Sequence, residues 1–565
     1  MTSARDLADR FHRRWLDVNP FAATMYGIPG YDDLVPDESA AGQQAWRAEA
    51  ARFIAAADDL AAGPGHEEAA LSLADAVTLA CTRQAALQDL EIIDSAREDH
   101  TVTAMQYAGP ATFLAIAART VLTDTTAAEA YLTRLRRSGG WMDQVGERLR
   151  EGAAKGRLPV APLAEQALAW AQAVLAAPEI GAVLVPEPPP GWARTAAWQQ
   201  ERRAIAEDVV RPALGRWVGI VTDLLPRARP SEQAGLTYLP GGDEDYARSI
   251  RVYTTLPLTA RELHQTGLDQ IAALEARATE LGKGLGLASL EAVRAALRDS
   301  AGKLPATEAL RQAAGAVKRA EARAGEIFPA PLPPPCQVTP MPEVVASSGA
   351  APHYTAPRLD GGRPGTFWFN TLRPTAGTGW DIEAVAFHEA VPGHHLQLSR
   401  LQLMKDLPDL QRQRSLAVFS EGWGLYAEQL CEEIGLYADD RSLLGSITAS
   451  LMRAVRLVVD TGMHAFGWSR ERALEFMAEH VPMPRGFLAD EIDRYVVMPG
   501  QALAYLTGKL EILRIREEAR QRLGPAFSLP EFHAAILDHG SLPMPVLARS
   551  IDGWLDQLSP NGHRG

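Results

Sequence analysis

The residues with the greatest chemical reach in this 565-residue chain lie in one short string, FHEAVPGHHL, at positions 387–396. Three of the chain's 13 histidines and one glutamate fall there, His388, Glu389, His394 and His395, among apolar neighbours. A histidine followed at once by a glutamate and soon by further histidines has the makings of a catalytic zinc centre. The imidazoles ligate the ion, and the carboxylate takes a proton from the water it activates. The usual form is HExxH, with two histidines four apart on one helix face, but here Pro392 stands where the second should be. On a regular helix each residue advances about 100° and about 1.5 Å. His388 and His394 would then diverge, and His388 and His395 would lie about 10 Å apart along the axis, too far for two Zn–N bonds of about 2 Å. Pro392 removes a backbone donor, and Gly393 opens conformations closed to other residues. The pair predicts a bulge that swings a histidine back beside His388, with His394 the expected second ligand and His395 a supporting or alternative one. The competing reading, an ordinary core helix with satisfied histidines, leaves Glu389 buried among Ala384, Val385, Phe387, Ala390 and Val391 with no partner, which is very costly.

A catalytic zinc takes a third protein ligand. The string SEGWGLYAE at 420–428 offers Glu421, whose i−4, i+3 and i+4 neighbours are Ala417, Gly424 and Leu425. That small, apolar face leaves room for a metal or another helix. Glu428 falls on the same face two turns on, as a supporting carboxylate or alternative ligand. The plainer reading makes both of them charges on an amphipathic helix. Further along, Arg453, Arg456, Asp460 and His464 form a polar stripe at i+3 and i+4 spacing. It is either a buried ion-pair network or the lining of a cleft. In the second case His464 steadies an oxyanion, Asp460 supports a ligand, and Arg453 or Arg456 binds a substrate carboxylate. Tyr495 and Tyr505 carry hydroxyls suited to substrate binding and oxyanion donation.

These residues need elements to hold them. From the start to about residue 177 the chain is rich in Ala, Leu and Arg with helical periodicity. PEPPPG at 186–191 breaks it, and a helix restarts near Thr195. The Pro/Gly-rich stretch at 225–245 marks a soft boundary between an N-terminal helical lobe, 1–225, and a C-terminal lobe, 226–565, that carries the site. Thr259 with Glu262 is a capping-box pattern opening the next helix. Residues 337–371 hold the best strand signals, above all TFWFNT at 366–371. From 381 the chain reads as helical to its end, with breaks near Pro408, Pro482 and Pro499. The predicted fold is mostly α: a large two-lobed body with a deep cleft and a small β element beside the active-site helix.

Composition narrows the partners. A net charge of −14 argues against nucleic acid and against an anionic membrane surface. Cys81, Cys336 and Cys431 are odd in number and far apart, which excludes a disulfide framework and a thiolate zinc motif and predicts reduced, buried thiols. The first 17 residues, with Leu7, Phe11 and Trp15 at i, i+4 and i+8, read as an amphipathic helix rather than a signal peptide. No stretch approaches the ~18–20 uninterrupted apolar residues of a membrane span, so the expected location is cytoplasmic. Oligomeric state has no signature here.

HEAVPGHHLQ, SEGWGLYAE, DTGMH at 460–464 and PGQALAY at 499–505 together resemble a large bacterial family labelled a domain of unknown function, whose members look like gluzincin metallopeptidases. The resemblance extends to WLDVNPFAATMYG at 15–27 and LPGGDEDY at 239–246. It implies Zn2+ held by two histidines of the motif helix and a glutamate of a later helix, a base after the first histidine, and an edge strand that docks an extended peptide. On this chain those are His388, His394, Glu421 and Glu389, with 366–371, including Phe369 and Asn370, as the edge strand. Dipeptidyl peptidase III is similar in having one extra residue in a motif that ends Gly-His, which supports His394; this chain has two extra. Helix-rich relatives with clefts, such as neurolysin and the thermostable carboxypeptidases, suggest the architecture by analogy.

The expected activity is zinc-dependent peptide hydrolysis, by a carboxypeptidase or oligopeptidase, with Glu389 as general base and Tyr505, Tyr495 or His464 on the oxyanion. A zinc amidase or esterase acting on a small non-peptide substrate is one alternative. A non-catalytic helical scaffold with a structural metal or none is another.

Overall fold

The computed structural model describes residues 3–558 except 64–70, 181–183, 185, 301, 344–345, 347–350, 358–363 and 373–378. Parts of the strand-rich stretch 337–371 therefore lie outside the described residues. Helices begin where capping residues announce them. Ser3 and Asp6 form a capping box at Ala4–Val18, and Thr259 and Glu262 form another at Ala260–Gly284. PEPPPG separates Ala161–Ala176 from Thr195–Ile205. The breaks expected near Pro408, Pro482 and Pro499 fall between successive helices of the C-terminal half.

The fold is mostly α, with one three-stranded sheet among the described residues. Its strands are β1 (Gln337–Pro340), β2 (His353–Thr355) and β3 (Thr366–Phe369), in the order β1-β3-β2. β1 runs parallel to β3 with Gln337 opposite Thr366, and β2 runs antiparallel to it with His353 opposite Trp368. The expectation of an edge strand at 366–371 is thus corrected: β3 is central, and β1 and β2 are the edges. The reason is visible in burial. Thr366, Phe367 and Phe369 are all buried, so β3 lacks the in–out alternation of a half-exposed strand and needs cover on both faces.

One apolar core closes within residues 21–224 around Trp141, Trp198 and Trp217. Two others lie beneath the site, one gathering Phe387, Trp423 and Phe532, the other built around the long helix Asp440–His464. The N-terminal helices Ala4–Val18 and Leu73–Ser95 cross over to this part. Arg5 donates to the Asp406 carbonyl at 2.7 Å, Thr78 to Gln411 at 2.9 Å, and Arg414 pairs with Asp89 at 2.6 Å.

Asp440–His464, the central helix, is long and apolar enough to span a membrane, yet 78% of its most apolar window is buried within the fold. Ala260–Gly284 packs along it. Beside it, Ala417–Glu433 (the glutamate helix) and Ala504–Leu523 (the tyrosine helix) pack against each other through Gly422 and Gly508. The three cysteines are unpaired and buried, as expected.

Candidate metal centre

The motif helix, Ile382–Glu389, ends at Glu389, and a second helix, His394–Leu403, starts after a turn of four residues. Within that turn the Val391–Pro392 peptide is cis. The Gly393 amide donates to the Phe387 carbonyl at 3.0 Å and the His395 amide to Ala390 at 3.1 Å. The Trp423 indole donates to the Pro392 carbonyl at 2.9 Å, tying the turn to the glutamate helix. A Cβ on Gly393 would lie 1.9 Å from the His388 carbonyl oxygen, so no other residue fits where the chain doubles back.

That doubling brings His394 to His388, with ring centroids 4.7 Å apart and planes at 85°. His395 goes elsewhere. Its Nε2 donates to the Pro334 carbonyl at 2.7 Å, and its Nδ1 accepts from the Tyr354 hydroxyl at 3.0 Å. Of the two histidines left open by spacing, His394 joins the cluster and His395 braces it to β2.

The glutamate helix supplies two carboxylates. Glu421 Oε2 lies 3.3 Å from His388 Nε2 and 3.7 Å from His394 Nε2. Glu428 Oε1 accepts from His388 Nδ1 at 2.8 Å. The ring between them lies against Gly424, where a Cβ would be 2.5 Å from His388 Cε1. Glu389 shares the cluster, since one donor atom each of His388, Glu389 and His394 lie within 4.8 Å of one another. Its Oε2 accepts from the Tyr354 amide of β2 at 2.8 Å.

Burial by itself would push His388 down, but its hydrogen bonds to Glu421 and Glu428 outweigh burial and carry it up to about 10. Burial would raise Glu421, yet His388 and His394 hold it well below the usual carboxylate range. The pocket therefore favours a positive charge at the point where these side chains meet. The donor set suits a zinc ion: two imidazole nitrogens, a carboxylate oxygen, and a second carboxylate behind the first histidine, with His394 Nδ1 buried and without a hydrogen bond among the described residues.

The polar stripe of the central helix separates in space. Arg453 Nη2 approaches Glu428 at 3.8 Å, and its Nη1 donates to the Ala449 carbonyl. Arg456 donates to the Tyr495 hydroxyl and to Glu491, both at 2.8 Å, and its guanidinium lies over the Tyr505 ring at 4.6 Å. Asp460 accepts from the Tyr246 hydroxyl at 2.6 Å and the Gly500 amide at 3.1 Å, and burial pushes it up to about 7. His464 is wholly buried, with Nδ1 accepting from the Leu236 amide and Nε2 donating to the Tyr495 carbonyl, both at 3.1 Å, and burial pushes it down to about 3.

Four expectations are corrected accordingly. Asp460 braces the 499–500 turn rather than a metal ligand. Both ring nitrogens of His464 are committed to backbone, so it donates to no oxyanion. Tyr495 is fully buried, accepts from Arg456 and donates to Glu491 at 2.7 Å, and Arg456 is held by that same pair, so neither meets substrate. Residues on one helix stripe meet different neighbours because Arg453 and His464 stand about 16 Å apart along the axis. Phe369 and Asn370 are corrected too. Phe369 packs edge-on to Phe367, while Asn370 donates to the Ala346 carbonyl and accepts from the Leu372 amide, and both are buried.

Tyr505 stays partly exposed at the start of the tyrosine helix. Burial, then the nearby charge of Glu421, raises its phenol. Two residues escaped the sequence reading. Glu491 was legible as the i−3 and i−4 neighbour of Arg494 and Tyr495, whereas Tyr354 reaches Glu389 only through the sheet and carries no local signal.

The model of the family described as "Bacterial protein of unknown function (DUF885)" matches residues 20–551. No curated protein matches the chain. Among solved structures, a candidate lipoprotein from Colwellia psychrerythraea is similar at 26% identity with a TM-score of 0.87, covering 99% of this chain and 100% of that one. Another candidate lipoprotein, of unknown function, from Shewanella oneidensis shares the fold at 17% identity and a TM-score of 0.74, covering 97% of this chain and 99% of that one. With the family match spanning nearly its whole length, the chain belongs to the DUF885 family of bacterial proteins.

Proposed function

We propose that this protein is a gluzincin-like zinc hydrolase that cleaves peptide bonds. The observation that carries the reading is the convergence of His388 Nε2, His394 Nε2 and Glu421 Oε2, with Glu389 in the same cluster. A zinc ion held by those three side chains would supply Lewis-acid polarisation of the scissile carbonyl and a water acidic enough to attack near neutral pH. Glu389 takes that water's proton and passes it to the leaving amine. Its free oxygen is aimed by the Tyr354 amide, which holds the other. Glu428 fixes His388 with Nδ1 protonated, leaving Nε2 to ligate. Tyr505 is the oxyanion donor, steadied by the Arg456 guanidinium over its ring.

Zinc analysis of metal-replete protein tests the centre: about one ion per chain is expected, lost on His388→Ala. A chain that takes up no zinc ends the scheme. Because zinc-activated water attacks amides and esters alike, an amidase acting on a small non-peptide substrate shares every residue named; a panel of peptides and acyl amides separates the two. A purely structural zinc normally takes four protein ligands, one more than the ligand set named here. With three unpaired cysteines, the proposal places the protein in the cytoplasm, which cell fractionation checks.

A further inference from the structure

The broken motif sets two histidines side by side and sends them in different directions. His394 turns to the metal cluster, while His395, only 2% exposed, turns to the sheet. The Pro334 carbonyl can only accept, so His395 carries its proton on Nε2 and donates it there at 2.7 Å. Nδ1 is thereby left as an acceptor, and the Tyr354 hydroxyl donates to it at 3.0 Å. Ser399, one turn further along the same helix, lies 3.3 Å from that hydroxyl and 3.4 Å from Nδ1. Gly365 makes room for the pair: a Cβ there would meet the Tyr354 hydroxyl and lie 2.6 Å from His395 Nδ1.

Tyr354 is also the residue whose amide holds Glu389 Oε2 at 2.8 Å. Its strand, β2, is three residues long and pairs with β3 on one side, so its own ladder does little to fix it. The Trp368 indole, donating to the Thr355 hydroxyl at 3.0 Å, fastens β2 to β3 and not to the motif. The helix His394–Leu403 grips β2 and the residues after it at two places. One is the bond between the Tyr354 hydroxyl and His395, and the other is Gln402 donating to the Pro357 carbonyl at 2.6 Å. The first acts on Tyr354 itself, the second three residues beyond it. The helix thus carries a candidate metal ligand at its first residue and, at its second, a hold on the strand that aims Glu389.

We propose that His395 is a positioning residue for the general base: through the Tyr354 hydroxyl it sets where the Tyr354 amide stands, and so which way Glu389 presents its free oxygen. The assignment rests on the reading of Glu389 as the base. Adjacent histidines then divide the work, His394 on the metal and His395 on the carboxylate that serves it. Supporting groups of this kind hold a catalytic side chain in its productive orientation without touching the reacting atoms. A histidine that merely held the fold together would disturb His394 and the sheet alike, and that difference can be measured.

Hydrogen exchange of the zinc-free, full-length protein, followed by mass spectrometry at the amide of residue 354, reads the hold on Glu389 without any need for catalysis. That amide is expected to be protected, and Glu389→Ala should release it. Tyr354→Phe removes a single oxygen and should speed its exchange about 3–10-fold, as for one lost hydrogen bond, and His395→Leu should do the same. The two changes together should do no more than either alone. His395→Gln, with a donor and an acceptor on one planar group, should restore most of the protection. Chelator competition should find zinc affinity unchanged in Tyr354→Phe, while its kcat on a peptide falls by the same factor at constant KM. Unchanged exchange in Tyr354→Phe overturns the proposal whether or not the His395 variants fold. So do additive effects of the two changes, an amide still protected in Glu389→Ala, or a zinc affinity that falls in step with kcat. Hydrolysis by the parent protein is read separately: no cleavage of peptides, with the exchange pattern as expected, sinks the peptidase reading and leaves the hold of His395 on Glu389 standing.

Discussion

Gly424→Ala probes the centre from its far side, and helix physics alone predicts the opposite sign. In the middle of Ala417–Glu433 the change should stabilise by about 0.5–1 kcal/mol, because glycine loses more backbone freedom on folding than alanine. The new Cβ, however, would sit 2.5, 2.7 and 2.8 Å from His388 Cε1, Nε2 and Nδ1. Carbon contacts settle near 3.5–4.0 Å, so the imidazole must retreat by about 1 Å. It cannot retreat freely, since Nδ1 is bonded to Glu428 and Nε2 faces Glu421. Overpacking of this kind costs about 1–3 kcal/mol, which exceeds the helical gain. Zinc sites tolerate about 0.2 Å in ligand distance, so zinc affinity should fall about 10–100-fold. Melting of zinc-free and zinc-loaded protein gives the first quantity, and competition with a chromophoric chelator gives the second. A higher melting temperature with undiminished zinc affinity would mean that His388 does not lie on Gly424, and the proposed ligand geometry would fail with it.

Three further outcomes follow from the same geometry. Glu389→Gln should keep its zinc and lose about 10²–10⁴-fold in hydrolysis, and full turnover in the variant removes Glu389 as base. In zinc-free protein His388 is raised to about 10 from an unfolded value near 6.5, so its stabilisation is complete below about 6.5 and is lost as pH climbs to about 10. Zinc must displace that proton, so log affinity should rise by about one per pH unit across the same window; a flat profile in chelator competition at pH 6.5–9 contradicts it. Asp460, raised by burial to about 7, has its stabilising neutral form lost as pH rises from about 4 to 7. Asp460→Asn keeps an acceptor for Tyr246 and Gly500 and should flatten that slope, leaving the variant at least as stable as the parent at pH 8 by urea denaturation.

What was legible in the chain was what depends on neighbours along it. The Thr259–Glu262 cap, the helix restart at Thr195 and the strand at 366–369 all appear where local pattern puts them. The place of β3 in its sheet was not legible, because strand order depends on partners such as β1 and β2 that are distant in sequence. His464 and Asp460 misled for a related reason. A buried histidine that serves two backbone groups and a ligand histidine look the same on one helix face, and only Leu236, Tyr246, Tyr495 and Gly500 distinguish them.

The motif itself sits between these cases. Pro392 and Gly393 announced a break, and the break is there, but which histidine it returns to His388 depends on a turn closed by the Phe387 and Ala390 carbonyls and anchored by Trp423. Gly393 and Gly424 then solve one problem from two sides. The first lets the chain carry His394 back past the His388 carbonyl, and the second lets the His388 ring lie flat on the glutamate helix between Glu421 and Glu428. Neither glycine has a use without the other: a turn that returned His394 to a His388 held away from Glu421 would bring two imidazoles together with no carboxylate beside them. The two residues added to the HExxH spacing are therefore accommodated by a pair of glycines on different helices, coupled through the ring of His388.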